Sequence, residues 1–322
     1  MKSWRDDIKN KIEELSKSLN PRGLHWWPKY LYHSTDVHNA SGILKSGYLY
    51  SRAEAQKQGL MIVDNASPEI IDHTDLASLR NARLYFRPRT PTQYNNEGIR
   101  PLNNRSLNAH CPIPIFLCFD ALKVLSLDET RFSDGNMASQ KASCSDAREF
   151  YLRIPFEHVF HEGPFSEDAR DSIIFHRHAE VLVPNSLQID NFLRYIICRS
   201  TAERQTFLAL LSNRIPRKWK DNIHLDNKSR FFYRLWTFVD SVVTTPDTLT
   251  FRFNPNTRTP GPFNAKVIFR ENGRKPRFWT GKINAREPLT LTVSNAKKGV
   301  VTLKLDDALA YKGNVIFKRE VI

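Results

Sequence analysis

Three short segments gather the side chains best able to do chemistry. The first, LYHSTDVHNASGILKSG at residues 31–47, places His33 at the end of an apolar run and follows it with the small polar residues Ser34 and Thr35. Backbone built from such residues can approach a ligand closely, and the helix N-terminus expected behind it favours anionic phosphate. The second, SLRNARLYFRPRTPTQY at residues 78–94, interleaves Arg80, Arg83, Arg87 and Arg89 with Tyr85, Phe86 and Tyr94. Guanidinium groups pair with phosphate and aromatic rings stack on bases, although an exposed, charged strand face has the same spacing. The third, FHRHAEVLVP at residues 175–184, puts Glu180 at the head of an apolar strand. A carboxylate there is a surface charge, a cap partner, or an anion that holds a ribose hydroxyl and stabilises an oxocarbenium-like centre.

Other chemistries find little support. His158, His161, His176 and His178 invite a metal reading, but zinc needs about four convergent ligands and no cysteine pair has suitable spacing, so no metal site is expected. No GxxxxGK[ST], GxGxxG or GxSxG segment occurs, which argues against a P-loop, a dinucleotide-binding fingerprint and a serine-hydrolase elbow.

The elements that must position these residues can be read from periodicity. Ile8, Ile12, Leu15 and Leu19 recur at helical spacing, so residues 5–19 predict an amphipathic helix stopped by Pro21 and Gly23. An apolar strand ends at His33, and Ser34 to Asp36 cap a helix that carries Ile43 and Leu44 and stops at Gly47. Arg83–Phe86, Ile113–Phe119, Glu180–Val183 and Tyr195–Cys198 read as strands, and Ala202–Leu211 as a helix. The long polar stretches 90–112 and 130–148 read as functional loops. After residue 245 the pattern changes to period two, through Leu249, Phe251 and Phe253, then Val267 and Phe269, Leu289, Leu291 and Val293, Val301, Leu303 and Leu305, and Val315 and Phe317. Two domains are therefore expected: residues 1–245, and a small, basic, antiparallel β-sandwich or barrel over residues 246–322.

The formal net charge of +14 favours a polyanionic partner, because Lys and Arg displace counterions from phosphates. The N-terminal segment is charged throughout and lacks the apolar stretch of a signal peptide. The longest apolar run is too short for a membrane span. The four cysteines read as reduced thiols, and the expected compartment is the cytoplasm.

Together and in this order, the segments resemble the DarT family of DNA ADP-ribosyltransferase toxins. The likeness runs over roughly residues 30–200 and rests on LYHST with the following Asn39 and GIL, on LRN, on YFRPRTPTQY, on FSDGN at 132–136 and on AEVLVP. It implies an α+β architecture with the ADP-ribosyltransferase fold, a split central β-sheet that clamps NAD+ as co-substrate, to which the all-β C-terminal domain is added. By the same resemblance His33 binds the adenosine-side ribose with Thr35 beside it and Asn39 following. Tyr85 and Arg89 line the nicotinamide side, Arg80 serves transfer at the pyrophosphate or acceptor base, and Glu180 is the catalytic glutamate. Arg87, Tyr94, Asp134 and Asn136 are expected to contact nucleic acid.

The implied activity is NAD+-dependent ADP-ribosyl transfer to a base in single-stranded nucleic acid, with DNA favoured. A toxin restrained by a cognate antitoxin, in a phage-defence setting, is the implied role. The sequence departs from the family in a short connection between Arg80 and YFRPR and in its C-terminal domain. Three alternatives stand beside this reading: the same chemistry on single-stranded RNA, ADP-ribosylation of a protein, and a non-catalytic nucleic-acid-binding module.

Overall fold

The helix expected over residues 5–19 forms as Arg5–Leu19 and buries Ile8, Ile12 and Leu19. The computed structural model describes residues 1–60, 80–104, 110–211 and 215–317. The chain divides into two compact units. The first comprises Met1–Ser34, Gly42–Tyr94 and Phe116–Ile196, and the second Thr35–Ser41, Asn95–Ile115 and Ile197–Ile322.

Among the described residues, ten strands form before the period-two region: β1 (Tyr30–Asp36), β2 (Tyr48–Tyr50), β3 (Asn81–Tyr85), β4 (Pro114–Asp120), β5 (Arg131–Ser133), β6 (Cys144–Ser145), β7 (Glu180–Pro184), β8 (Ser186–Gln188), β9 (Leu193–Cys198) and β10 (Ile223–Leu225). Eight of them form one sheet in the order β10-β9-β4-β1-β3-β7-β5-β6, while β2 pairs with β8. In β4 every residue from Pro114 to Phe119 is buried, as a strand covered on both faces requires. β3 instead alternates: Ala82 and Leu84 enter the core while Asn81, Arg83 and Tyr85 stay half-buried on the other face. That polar face is where chemistry can be placed. β3 runs antiparallel to β7, with Tyr85 directly opposite Glu180 and Arg83 opposite Leu182.

Two local expectations change. The first strand does not end at His33 but continues to Asp36, since β-branched Thr35 suits an extended, buried position. Capping then falls to Asp36, whose Oδ1 accepts the His38 N–H at 2.8 Å, and the helix Val37–Ser46 follows. The stretch 130–148 is not all loop, because β5 and β6 form a short hairpin within it. A strand of three residues offers too few alternations to register as periodicity. Likewise the stretch 90–112 contains the helix Pro91–Asn96 and a 3-10 turn at Leu102–Asn104.

In the second unit, seven strands follow: β11 (Val239–Thr244), β12 (Thr248–Phe253), β13 (Phe263–Arg270), β14 (Arg277–Ile283), β15 (Leu289–Thr292), β16 (Lys298–Leu305) and β17 (Ala308–Ile316). They form a three-stranded sheet, β11-β12-β15, and a four-stranded sheet, β14-β13-β16-β17. The alternating residues read from the sequence supply their shared core, including Leu249, Phe251, Val267, Phe269, Val301 and Leu303. The turn expected to open a new domain near residue 246 lies inside the β11–β12 hairpin, where Thr245 Oγ1 accepts the Thr248 N–H at 3.0 Å. β11 and β14 escaped the pattern because VDSVVT and RFWTGKI mix polar and adjacent apolar residues.

The second unit also buries an ionic cluster. Arg199 is 2% exposed and pairs with Glu97 at 3.1 Å and with Glu203, while its Nη2 donates to the Pro112 carbonyl at 3.0 Å. Glu97 in turn accepts the backbone N–H groups of Tyr233 and Arg234, both at 2.9 Å. Burial pushes the Glu203 carboxyl up to about 7 against the pull of Arg199. Removing Arg199 would take from two buried carboxylates the cation that both pair with. Arg199→Met is therefore expected to destabilise the protein by about 3–5 kcal/mol in urea unfolding, and adding Glu97→Gln and Glu203→Gln should recover most of that loss. Equal instability of the single and triple variants would show that packing, rather than charge, dominates.

Candidate active site

Arg83 joins two residues on neighbouring strands. Its backbone carbonyl accepts a hydrogen bond from His33 Nδ1 at 3.0 Å, and its Nε lies 3.5 Å from Glu180 Oε2. A carbonyl can only accept, so the His33 proton sits on Nδ1 and Nε2 is left as an acceptor. Burial lowers the His33 pKa, partly offset by this bond, which keeps the ring neutral. The three residues thus span β1, β3 and β7 within the first unit.

Glu180 is 2% exposed. Burial raises its pKa, while the Arg83 guanidinium and the Met137 backbone N–H pull it back down. Among the described residues, neither Glu180 Oε2 nor Arg83 Nη2 has a hydrogen-bond partner, although both atoms are buried. Tyr85, opposite Glu180, has its pKa raised by burial and by the carboxylate, so its hydroxyl stays protonated and able to donate.

A fixed loop supports the carboxylate from below. The Glu180 N–H donates to Ser133 Oγ at 2.8 Å, and Ser133 Oγ donates to the Gly135 carbonyl at 2.8 Å. The helix Glu167–His176 closes on that loop, with His176 Nδ1 donating to the Asp134 carbonyl. At Gly135 a Cβ would stand 2.3 Å from the Phe175 ring, so only glycine lets the helix pack this close. Ser133 and Gly135 lie in the FSDGN segment, beside the sequence candidates Asp134 and Asn136.

Those two side chains serve the loop itself. Asp134 Oδ1 accepts the Ser143 N–H at 2.9 Å, and Asn136 Oδ1 accepts the Ala138 N–H at 3.1 Å. Arg87, expected at nucleic acid, is instead 1% exposed. It donates to the carbonyls of Pro88, Val159 and His161, pairs with Glu162 and lies over the Trp27 ring. Its donors are engaged inside the protein, in the setting of a structural side chain, and not at an exposed surface.

Arg89 adopts a left-handed φ of 59° and reaches Glu162 at 3.4 Å. Tyr94 is 39% exposed on the helix Pro91–Asn96. Arg80 is exposed just before β3, at the opposite end of that strand from Tyr85; its carbonyl accepts the Asn185 N–H at 2.8 Å. Thr35 and Asn39 belong to the segment of the second unit, Thr35 buried and Asn39 half-buried. Arg83 was not picked out from its neighbouring arginines in the sequence, although its position two residues before Tyr85 was the available signal. Among the described residues, no group of three or more His, Cys, Asp or Glu converges as a metal site. No described helix is long and apolar enough to cross a membrane.

The chain matches the family model described as DarT, ssDNA thymidine ADP-ribosyltransferase, over residues 32–232. His33, Arg83, Ser133 and Glu180 lie inside that span, and β11 to β17 lie beyond it. Among solved structures, the chain is similar to Thermus sp. 2.9 DarT in complex with ADP-ribosylated ssDNA, at 18% identity over 64% of this chain and 97% of that one, with a TM-score of 0.49. It is similar to the same protein in complex with NAD+ at 16% identity, over 64% and 98% of the two chains, with a TM-score of 0.47. No curated protein matches the chain by sequence.

The packing around Gly135 yields a stability expectation. Gly135→Ala should cost about 1–3 kcal/mol by overpacking against Phe175, and the double variant with Phe175→Ala should cost less than the sum of the two single changes. Additive losses in thermal unfolding would mean that the loop and helix do not press on each other.

Proposed function

This chain belongs to the DarT family of single-stranded-DNA thymidine ADP-ribosyltransferases, and we propose that Glu180, Arg83 and His33 carry its transfer of ADP-ribose from NAD+ to thymine. The observation that carries this reading is that two buried atoms, Glu180 Oε2 and Arg83 Nη2, make no hydrogen bond to a described residue. Buried polar atoms are rarely left unpaired, and a substrate rich in hydroxyls and phosphate oxygens supplies both the donor and the acceptor they lack.

Glu180 accepts a hydrogen bond from the 2′-hydroxyl of the nicotinamide ribose and stabilises positive charge at C1′ as the bond to nicotinamide breaks. Nicotinamide leaves with that electron pair. The thymine ring nitrogen forms the new bond to C1′, and its proton is released. That N–H lies on the pairing edge of the base, so an unpaired strand is the accessible form. Arg83 holds Glu180 ionised and in place, leaving one N–H for an oxygen of NAD+. Neutral His33 offers Nε2 to a hydroxyl of the adenosine ribose, with Thr35 and Asn39 assigned to the same co-substrate. Tyr85 and Arg89 are placed on the nicotinamide side. Arg80 keeps the transfer role implied by its resemblance, and Tyr94 is a stacking surface for a base. Asp134 and Asn136 shape the loop that presents the acceptor side.

Base modification of DNA harms the cell that performs it. We therefore extend the proposal to a toxin restrained by a cognate antitoxin, with phage defence as its setting.

Glu180→Gln should lower transfer of label from NAD+ to thymine-containing single-stranded DNA by roughly 100- to 1,000-fold, the usual loss for one preorganised electrostatic group. Expression of the unaltered chain, but not of this variant, should arrest growth. Retained transfer within a few-fold would remove Glu180 from the mechanism, and label entering RNA or protein would change the acceptor. The pH profile tests Arg83 separately. Glu180 acts as a carboxylate and its folded pKa is raised, so activity should fall with acid at a pH above the ordinary carboxylate range. Arg83→Gln removes a cation that lowers this pKa, so the acid limb should move further up. An unmoved limb would assign Arg83 a merely structural part.

A further inference from the structure

The C-terminal sandwich carries more than its share of the positive charge. Residues 246–322 hold 15 of the 48 Lys and Arg residues but only 6 of the 34 Asp and Glu residues. The outward face of the four-stranded sheet displays part of this surplus in a defined pattern. Val267, Phe269, Val301 and Leu303 point into the core, so Lys266, Ile268, Thr302 and Lys304 lie on the opposite face, where Lys266 is exposed and Thr302 is buried. On that outer face Lys266 and Lys304 are direct cross-strand partners, with Thr280 facing Lys266 from the other side. Lys282 stands opposite Asn264, one step along the same face. One step the other way, Phe278 stands opposite Ile268.

Two features set this face apart from an ordinary solvated sheet. Phe278 is 63% exposed, the most exposed large apolar side chain among the described residues. Lys266 and Lys304 are like charges in direct opposition, an arrangement that destabilises a sheet in isolation. None of Lys266, Lys282 and Lys304 is ion-paired with a described residue. A shallow cleft of about 410 Å³ lies among Asn264, Lys266, Thr280, Lys282, Asp306 and Asp307. Asp306 at its rim is held by Asn264, accepting from both the backbone and the side-chain amide. An open aromatic ring beside unpaired lysines on a sheet is the arrangement that takes an unpaired nucleic-acid strand, with a base stacked on the ring and phosphates against the ammonium groups.

We propose that the outer face formed by β14, β13 and β16 is a second binding surface for single-stranded DNA, with Phe278 as the stacking platform and Lys266, Lys282 and Lys304 as the phosphate contacts. The choice of DNA rests on the transferase reading above. The surface itself lies outside the stretch matched by the family model. Its effect is to raise the local concentration of substrate strand for a transferase on the same polypeptide.

The test uses the full chain and fluorescence anisotropy with a thymine-free single-stranded DNA, which reads binding whether or not transfer occurs. Phe278→Ala should weaken binding roughly 5- to 100-fold, as loss of one stacking ring does, and Phe278→Trp should restore it. Lys266→Gln with Lys304→Gln should reduce the salt slope of binding by roughly 1.4, about 0.7 for each lost phosphate contact on a single strand. With thymine-containing DNA and NAD+, the Phe278→Ala variant should raise KM for DNA and leave kcat unchanged. Unaltered affinity and salt slope in these variants would overturn the proposal, as would tighter binding of RNA than of DNA of the same sequence. Loss of transfer in the unaltered chain with these binding effects intact would instead strike the transferase reading alone.

Discussion

One buried carboxylate governs what the first unit can do. Glu180 is almost wholly removed from water, and burial alone favours its neutral form. In the proposed transfer, a neutral carboxyl would lose the ability to stabilise a cationic ribose carbon. The Arg83 guanidinium and the Met137 N–H oppose that drift, and Ser133 fixes the backbone from which the side chain departs. The same Arg83 fixes the His33 tautomer through its carbonyl. One residue of β3 therefore opposes neutralisation of a carboxylate on one neighbouring strand and sets the hydrogen-bonding sense of a histidine on the other. The alternation of β3, core on one side and polar on the other, is what allows it to do both.

The parts of this arrangement legible in the sequence were those whose meaning is local. His33 and Glu180 each stand beside an apolar run, and the sandwich announces itself through its period-two pattern. Arg83 was hidden among four arginines in residues 80–89 that look alike in one dimension. Register separates them: Arg83 lies on the open face of β3, whereas Arg87 lies past the strand's end. There it turns inward to carbonyls at Val159 and His161, more than seventy residues away in the chain. No local signal reports such partners. Ser133 was missed for the same reason, since its bond to Glu180 depends on β5 lying beside β7.

Two of the buried arginines, Arg87 and Arg199, show how irregular segments are held. Arg87 gathers three backbone carbonyls, and Arg199 takes the Pro112 carbonyl together with two carboxylates. Buried carbonyls outside helices and strands need donors, and a guanidinium offers five in a rigid fork. Each such arginine costs desolvation and requires anions nearby, here Glu162 in the first unit and Glu97 with Glu203 in the second.

This changes what the net charge of +14 means. That total already subtracts every carboxylate, so buried arginines matched by glutamates cancel within it, and what it leaves open is where the uncompensated charge stands. The charge that can act on a nucleic-acid strand must reach solvent at least in part and lack a neutralising partner. On the sandwich, Lys266 and Lys282 are exposed, Lys304 is half-buried, and none of the three is ion-paired with a described residue. Electrostatic attraction that decays within about 10 Å at 0.1 M salt favours such local clusters over a diffuse total. In the proposal above, the polyanionic partner suggested by the net charge is met by a lysine-bearing sheet face beyond the family match.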